Sequence, residues 1–470
     1  MSHTDPTQRN RALGTAPIGP LLFRLALPTI LAQLVNALYN IVDRIYIGHM
    51  EPSGDLALTG LGVCFSVIMF ISALAALAGS GGGPRAAIAM GEGDNERAEA
   101  ILGGAVALLL VMAVAATTVF QLFKEPLLLA FGAAPDTIGY ATDYLSIYLW
   151  GSISVLIALG LNPFITLQGF STFSMCTVLI GAVTNIVLDP IFIFALGLGV
   201  KGAALATVIS QTLSALWVLR FLTGKKSVLH IRLRHLRLRP NVLIPIVTLG
   251  VSPFIMQSTE ALVSISFNSS LLKYGGTPAV GAMTICASVM QVLWLPGQGL
   301  SQGAQPLISY NFGAGNLDRV KKAFRLLLIT NMIYMLSIWL FVELCPGLLV
   351  ALFNDEPGLT SLAQWALRIY MMGMCIFWLQ NSCQQTFVAL GQAKFSLFFA
   401  LFRKVLLLIP LIFILPRILS DQVFAVLLAE PVADVISALT CGAVFFCRFP
   451  KILQQRGETL AHRPPDNTQH

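Results

Sequence analysis

The chain has 470 residues, 56% of them hydrophobic and 11% charged, with 29 Lys and Arg against 22 Asp and Glu. Its mean hydropathy is +0.78. Soluble domains carry roughly 25% charged residues, so this chain cannot cover itself with polar surface in water, and a water-soluble domain is excluded.

In a bilayer only helices or closed barrels satisfy every backbone group. Barrel strands alternate apolar and polar residues, whereas runs such as 242–272 and 326–342 are long and predominantly apolar without that alternation. An all-α membrane protein follows. The first nineteen residues are polar with Pro and Gly and lack the apolar core and cleavage site of a secretory signal, so the first span is expected to stay in the protein. A helix needs about 20 apolar residues to cross. Twelve segments qualify, at 20–46, 57–82, 98–122, 137–161, 171–196, 202–223, 241–272, 278–308, 322–345, 360–386, 396–416 and 422–448. They are spans 1 to 12 below.

The basic residues sort by side. Arg9, Arg11 and Arg24 begin span 1, and Arg85 and Arg97 fall in the loop after span 2. Arg220, Lys225, Lys226, Arg232, Arg234, Arg237 and Arg239 lie between spans 6 and 7, and Arg319, Lys321, Lys322 and Arg325 follow span 8. Lys394, Arg403 and Lys404 are assigned to the region of loop 10–11, and Arg448, Lys451, Arg456 and Arg463 to the tail. Only Arg44, Lys124, Lys201, Lys273, Arg368 and Arg417 remain for the other side. The positive-inside rule then puts both termini in the cytoplasm of a multi-pass protein, expected in a bacterial inner membrane. The charge of +7 is therefore membrane topology rather than nucleic-acid binding, and the basic stretch 225–239 reads as an anchor on anionic lipid. The eight cysteines lie in or at the ends of apolar runs without metal spacing, as small core residues.

An internal repeat organises the chain. Residues 81–100 read GGGPRAAIAMGEGDNERAEA, and 303–323 read GAQPLISYNFGAGNLDRVKKA. At an offset of 222, Pro84 meets Pro306, Gly91 meets Gly313, Gly93 meets Gly315, Arg97 meets Arg319, and Gly169 meets Gly391. Pro28 and Pro253 stand near the same spacing, at 225. A six-span repeat keeps its orientation, so the halves relate by an axis along the membrane normal with a cleft between them. The expected parts are a tail at 1–19, an N-terminal lobe at 20–223, a basic cytoplasmic linker at 224–240, a C-terminal lobe at 241–448 and a tail at 449–470.

There is no GxxxxGK[ST] loop and no HExxH, and all six histidines fall in tails or loops. ATP hydrolysis and metal- or His-based catalysis are not expected within the membrane, no cofactor is called for, and an ion gradient remains as the energy source. Ionisable side chains inside spans are costly and are functional candidates by default. Asp43 shares one helical face with Asn36, Tyr39 and Asn40, at spacing i, i+3, i+4, i+7. Asp189 has Asn185 one turn before it, and span 6 carries Thr207, Ser210, Gln211 and Ser214 on one face. The span directions put Asp43, Asp189 and Thr207 at one depth, where their oxygens suit a proton or a sodium ion. Structural readings stand beside this one: Asp43 pairing with Arg44, Asp189 ending a helix before Pro190, and the span-6 stripe serving as interhelical glue. Glu260 shares a face with Gln257 and Ser264, as a contact for a cationic substrate, an ion ligand or a hydrogen-bonded buried acid. With Met290, Trp294 and Gln302 these residues give spans 7 and 8 an adaptable surface without a mid-span cation. That suits small organic cations or neutral lipophilic molecules.

With these residues in view, the chain resembles the multidrug and toxic compound extrusion (MATE) family over about 450 residues. The resemblance rests on Pro28, the twin loops at Gly91-Glu92-Gly93 and Gly313-Ala314-Gly315, Gln305-Pro306, and Ala429-Glu430-Pro431-Val432-Ala433-Asp434. It is nearest the DinF-like branch, with its MepA-type efflux pumps. The resemblance implies twelve helices in two six-helix lobes around a V-shaped cleft, acting as a monomer, and drug export in exchange for H⁺ or Na⁺. It implies a coupling site at Tyr39, Asp43, Asn185, Asp189 and Thr207, and a bend of span 1 centred on Pro28. A lipid-linked precursor flippase on the same superfold is the alternative; it would need cleft cations to meet pyrophosphate.

Overall fold

The computed structural model describes residues 12–50, 54–352 and 357–462. Arg9, Arg11, Arg463, His3 and His470 lie outside them. Among the described residues the secondary structure is helical. Span 1 runs Ile18–Gly48, span 2 Gly54–Gly91, span 3 Asn95–Ala130, span 6 Val200–Thr223, span 9 Leu317–Leu344 and span 12 Gln422–Ala461.

Spans 4 and 10 are broken. Ile138–Trp150 meets Ser152–Leu167 at 59°, and Gly358–Tyr370 meets Met374–Ala389 at 48°. Spans 7 and 8 form one helical run, Pro240–Gly313, of 74 residues. At 1.5 Å per residue that would reach about 110 Å, several times a ~30 Å hydrocarbon core. The run turns at Gly276, whose φ of 67° and ψ of −166° only glycine adopts readily. Counted this way, the chain forms the twelve-helix, two-lobe architecture. Two spans contain π-helical stretches: span 5 (Ser171–Pro190) continues as Ile191–Ala195, and span 11 changes to π geometry over Phe402–Leu408, between Ala393–Leu401 and Ile409–Ile418. Such insertions are frequent at functional sites.

Three expectations about charge placement need correction. Helix 2 continues to Gly91, so Arg85 lies inside a helix rather than in a loop. Span 12 continues to Ala461, so Arg448, Lys451 and Arg456 are helical. Arg403 and Lys404 lie within span 11, not in a loop. Their charges are tolerated there because carboxylates on spans 7 and 12 meet them.

The repeat is visible in backbone geometry. Gly93 and Gly315 both have positive φ, at 81° and 75°, as do Gly169 and Gly391, at 84° and 70°. The twin loops also touch: a Cβ on Gly91 would stand 2.1 Å from the Tyr310 carbonyl oxygen, and one on Gly313 2.1 Å from that of Ile88. Glycine is required at both. The lobes meet elsewhere on this twin-loop side. Thr29 Oγ1 donates to the Gly299 carbonyl at 2.7 Å, Gln33 donates to Gln302 at 3.1 Å, and Phe70 meets Phe254 edge-on at 5.7 Å.

One apolar cluster fills the N-terminal lobe, around Phe164, Leu145 and Val218. A second fills part of the C-terminal lobe around Phe267, Met283 and Leu367. A third joins Leu13, Leu22 and Leu25 to Leu307, Phe387 and Phe445, so the first turns of span 1 pack on the C-terminal lobe. The basic linker is tied to the N-terminal lobe. Arg232 pairs with Glu99 at 2.6 Å and Arg234 with Glu96 at 3.3 Å.

Candidate cation site

Four spans bring polar groups together in the N-terminal lobe, on the side away from the twin loops. Asp43 comes late in span 1, Asp189 late in span 5 and Thr207 early in span 6, and all three are buried. Asn185, also buried, donates from Nδ2 to Asp189 Oδ1 at 3.2 Å and to Thr207 Oγ1 at 3.4 Å. The carboxyl groups of Asp43 and Asp189 lie within hydrogen-bonding reach of each other. Arg44 turns away, over the Phe65 ring at 5.3 Å. Asp189 does not end its helix: the chain remains helical through Pro190.

Three buried oxygens here have no hydrogen-bond partner among the described residues: Asp43 Oδ1, Asn185 Oδ1 and Asp189 Oδ2. Unsatisfied buried acceptors are expensive. Two facing carboxyls with a free amide oxygen are a set that one shared proton or one small hard cation completes.

The sequence reading overlooked Tyr144 and Tyr148. Both are buried on span 4 with stacked rings, 6.1 Å apart. The signal was present as tyrosines at 140, 144 and 148, one helical turn apart. Of the supporting residues, Ser210 donates to the Thr207 carbonyl at 2.9 Å, Asn40 donates to its own helix at the Asn36 carbonyl, and Gln211 is half-buried. Asn36 is exposed. Span 1 passes through Pro28 as one helix, with the neighbouring Thr29 engaged by Gly299.

The C-terminal lobe holds a second charged group that the sequence reading missed. Arg403 binds Glu430 at 2.6 Å and Asp434 at 2.7 Å, and lies over Phe377 at 4.5 Å. Lys404 pairs with Glu260 and donates to the Met256 carbonyl at 2.7 Å. A run of 26 helical residues with Arg-Lys near its middle was the signal, and assigning those cations to a loop hid it. Of the remaining cleft candidates, Trp294 tilts against Phe377 at 5.1 Å, Met290 packs on the lobe's core, Gln257 is half-buried and Gln302 is held by Gln33.

A family model described as MatE matches the chain twice, over 28–191 and 253–414, so each match begins at one of the repeat prolines. The multidrug export protein MepA of Staphylococcus haemolyticus (strain JCSC1435) is 26% identical over 414 residues, 87% of this chain and 90% of its own. MepA of Staphylococcus aureus (strain MRSA252) is 24% identical over 431 residues, 90% and 93% of the two chains. An outward-facing structure of a multidrug resistance MATE family transporter of the MOP superfamily superposes with a TM-score of 0.88 at 22% identity, covering 97% of this chain and all of that one. A MATE structure in the bent conformation gives 0.89 at 22% identity. With both lobes matched by one family model and the fold shared across the whole length, the chain belongs to the MATE family.

Proposed function

We propose that this chain is a secondary active multidrug exporter, moving cationic or neutral lipophilic compounds outward in exchange for H⁺ or Na⁺. The observation that carries the coupling role is the set of three unpartnered buried oxygens on Asp43, Asn185 and Asp189. The relatives named as multidrug export proteins support the cargo class. The two cations of span 11 are engaged by carboxylates, which favours a cationic over an anionic cargo and speaks against the flippase reading. The protein acts as a monomer in a bacterial inner membrane, its lobes at 20–223 and 241–448 and both termini cytoplasmic. The contacts between the twin loops close that face, and the cleft opens outward. Pro28 supplies the weak point at which span 1 bends during transport.

Purified protein in vesicles, with ΔpH and ΔNa⁺ imposed separately and ethidium movement followed, tests this. One gradient should drive export, and Asp43→Asn or Asp189→Asn should abolish it in a protein that still folds. Full transport by both variants would remove the coupling role.

A further inference from the structure

The C-terminal lobe's charges are arranged asymmetrically. Glu260 exposes 64% of its side chain, while its partner Lys404 exposes 6% of its own. Any molecule arriving from outside the lobe therefore meets the carboxylate first. Lys404 is anchored on both sides of its ammonium, by Glu260 and by the Met256 carbonyl. Beyond it stands Glu430, which is buried. Arg403 occupies Glu430 Oε1, but Glu430 Oε2 has no hydrogen-bond partner among the described residues. This cluster thus sets three carboxylates, Glu260, Glu430 and Asp434, against two cations, Arg403 and Lys404.

From this geometry we infer that Lys404 is a tethered internal cation that occupies Glu260 while the cleft is empty and yields it to a cationic substrate. This rests on the reading of Glu260 as a substrate contact. Lysine suits the part, a compact charge on a flexible four-carbon stem with three donors. On displacement the ammonium keeps the Met256 carbonyl and gains Glu430 Oε2, so neither it nor Glu430 is left unsatisfied. The π-helical stretch Phe402–Leu408 sets Arg403 and Lys404 side by side against acids on two different spans. A substrate cation must compete with Lys404, whereas a neutral compound need not. Lys404 therefore sets how strongly the exporter favours charged over neutral cargo, and keeps bound cations weak enough to leave.

The test is equilibrium binding of ethidium, by fluorescence polarisation, to the detergent-purified full chain. Lys404→Met removes the competitor and should tighten ethidium about tenfold, the scale of one charge-assisted contact. Glu430→Gln removes the alternative anion, leaves Lys404 on Glu260 and should weaken ethidium severalfold. Glu260→Gln should weaken ethidium and cancel the effect of Lys404→Met in the double variant. A Lys404→Met protein that is monodisperse and binds ethidium no more tightly than the parent overturns the competitor role. If Glu260→Gln leaves ethidium binding unchanged, the substrate-contact reading fails instead, and this inference with it. Should Lys404→Met not fold, Lys404→Arg gives the same decision: a bulkier, more strongly held cation should weaken ethidium, and tighter binding overturns the proposal.

Discussion

Arg456, on the extension of span 12, donates from Nη2 to Glu92 Oε1 at 2.6 Å across 364 residues of chain. The same guanidinium donates to the carbonyls of Phe312 and Gly313, at 3.0 and 2.7 Å, and lies over the Phe312 ring. One side chain therefore adds to the capping of the end of span 8 and ties it to the N-terminal lobe's twin loop. Both side chains are largely buried, with 14% and 8% exposed. Removing one member of such a pair costs about 3 kcal/mol or more. In Glu92→Gln and Arg456→Gln, backbone amides of 91–95 and 311–317 should exchange hydrogen about a hundredfold faster. Unchanged exchange in both would mean that the glycine contacts alone hold this face closed.

Thr207 Oγ1 accepts from Asn185 Nδ2 at 3.4 Å inside the candidate cation site. Thr207→Val keeps the volume and removes the hydroxyl, leaving the Asn185 amide without that partner. Gradient-driven ethidium export should fall about tenfold, the scale of one buried hydrogen bond left unmade. Thr207→Ser keeps the hydroxyl and should stay within about twofold of the parent. Equal rates for the valine variant and the parent would exclude the hydroxyl from the coupling site.

Much of this site was legible in the sequence because it obeys helical periodicity. Asn185 and Asp189 are one turn apart, and the directions of spans 1, 5 and 6 bring Asp43, Asp189 and Thr207 to one depth. Twin glycines at a fixed offset likewise announced the repeat, since a residue needing positive φ leaves a distinctive mark. What stayed hidden depends on pairing across the lobe. Arg403 and Lys404 are adjacent, and on a regular helix neighbours face different directions. Nothing local says that a π-helical stretch will set both against acids, or that Glu430 and Asp434 on span 12 will neutralise Arg403 and Glu260 on span 7 will neutralise Lys404. Read by sign alone, two basic residues near a predicted span end look like topology.

The Arg403 group makes a prediction about stability. Glu430 and Asp434 are buried and share one guanidinium, and Gly373 lets Asp434 approach, since a Cβ there would stand 2.6 Å from Asp434 Oδ2. Arg403→Met strands two carboxylates in the lobe and should cost about 3–5 kcal/mol. The triple variant Arg403→Met, Glu430→Gln, Asp434→Asn removes all three charges and should recover most of that loss. Thermal unfolding of the purified proteins in one detergent decides. A triple variant no more stable than the single one would show that the lobe needs the ion pairs themselves, and not merely relief from unpaired charge.

Gln168, at the turn after span 4, holds the basic linker in place. Its Oε1 accepts from Ser227 Oγ at 3.0 Å and from the backbone N–H groups of Val228 and Leu229 at 2.8 and 3.1 Å. Its Nε2 is fixed by the Phe164 carbonyl at 3.0 Å, so the acceptor is aimed in advance. Glu99 adds a second attachment, through the His230 N–H and the Arg232 guanidinium. Gln168→Leu keeps the side-chain volume but leaves two linker N–H groups without that partner, at about 1–3 kcal/mol each where they stay buried, while the Ser227 hydroxyl keeps the Leu229 carbonyl at 2.6 Å. The linker then opens more often, and it is rich in Lys and Arg. Limited trypsin digestion should cut between residues 225 and 239 at least tenfold faster in Gln168→Leu, while Glu99→Gln should have a smaller effect because its Arg232 partner is half exposed. If cleavage of Gln168→Leu matches the parent, the strap is held by packing instead, through contacts such as the close approach of His235 to Gly103.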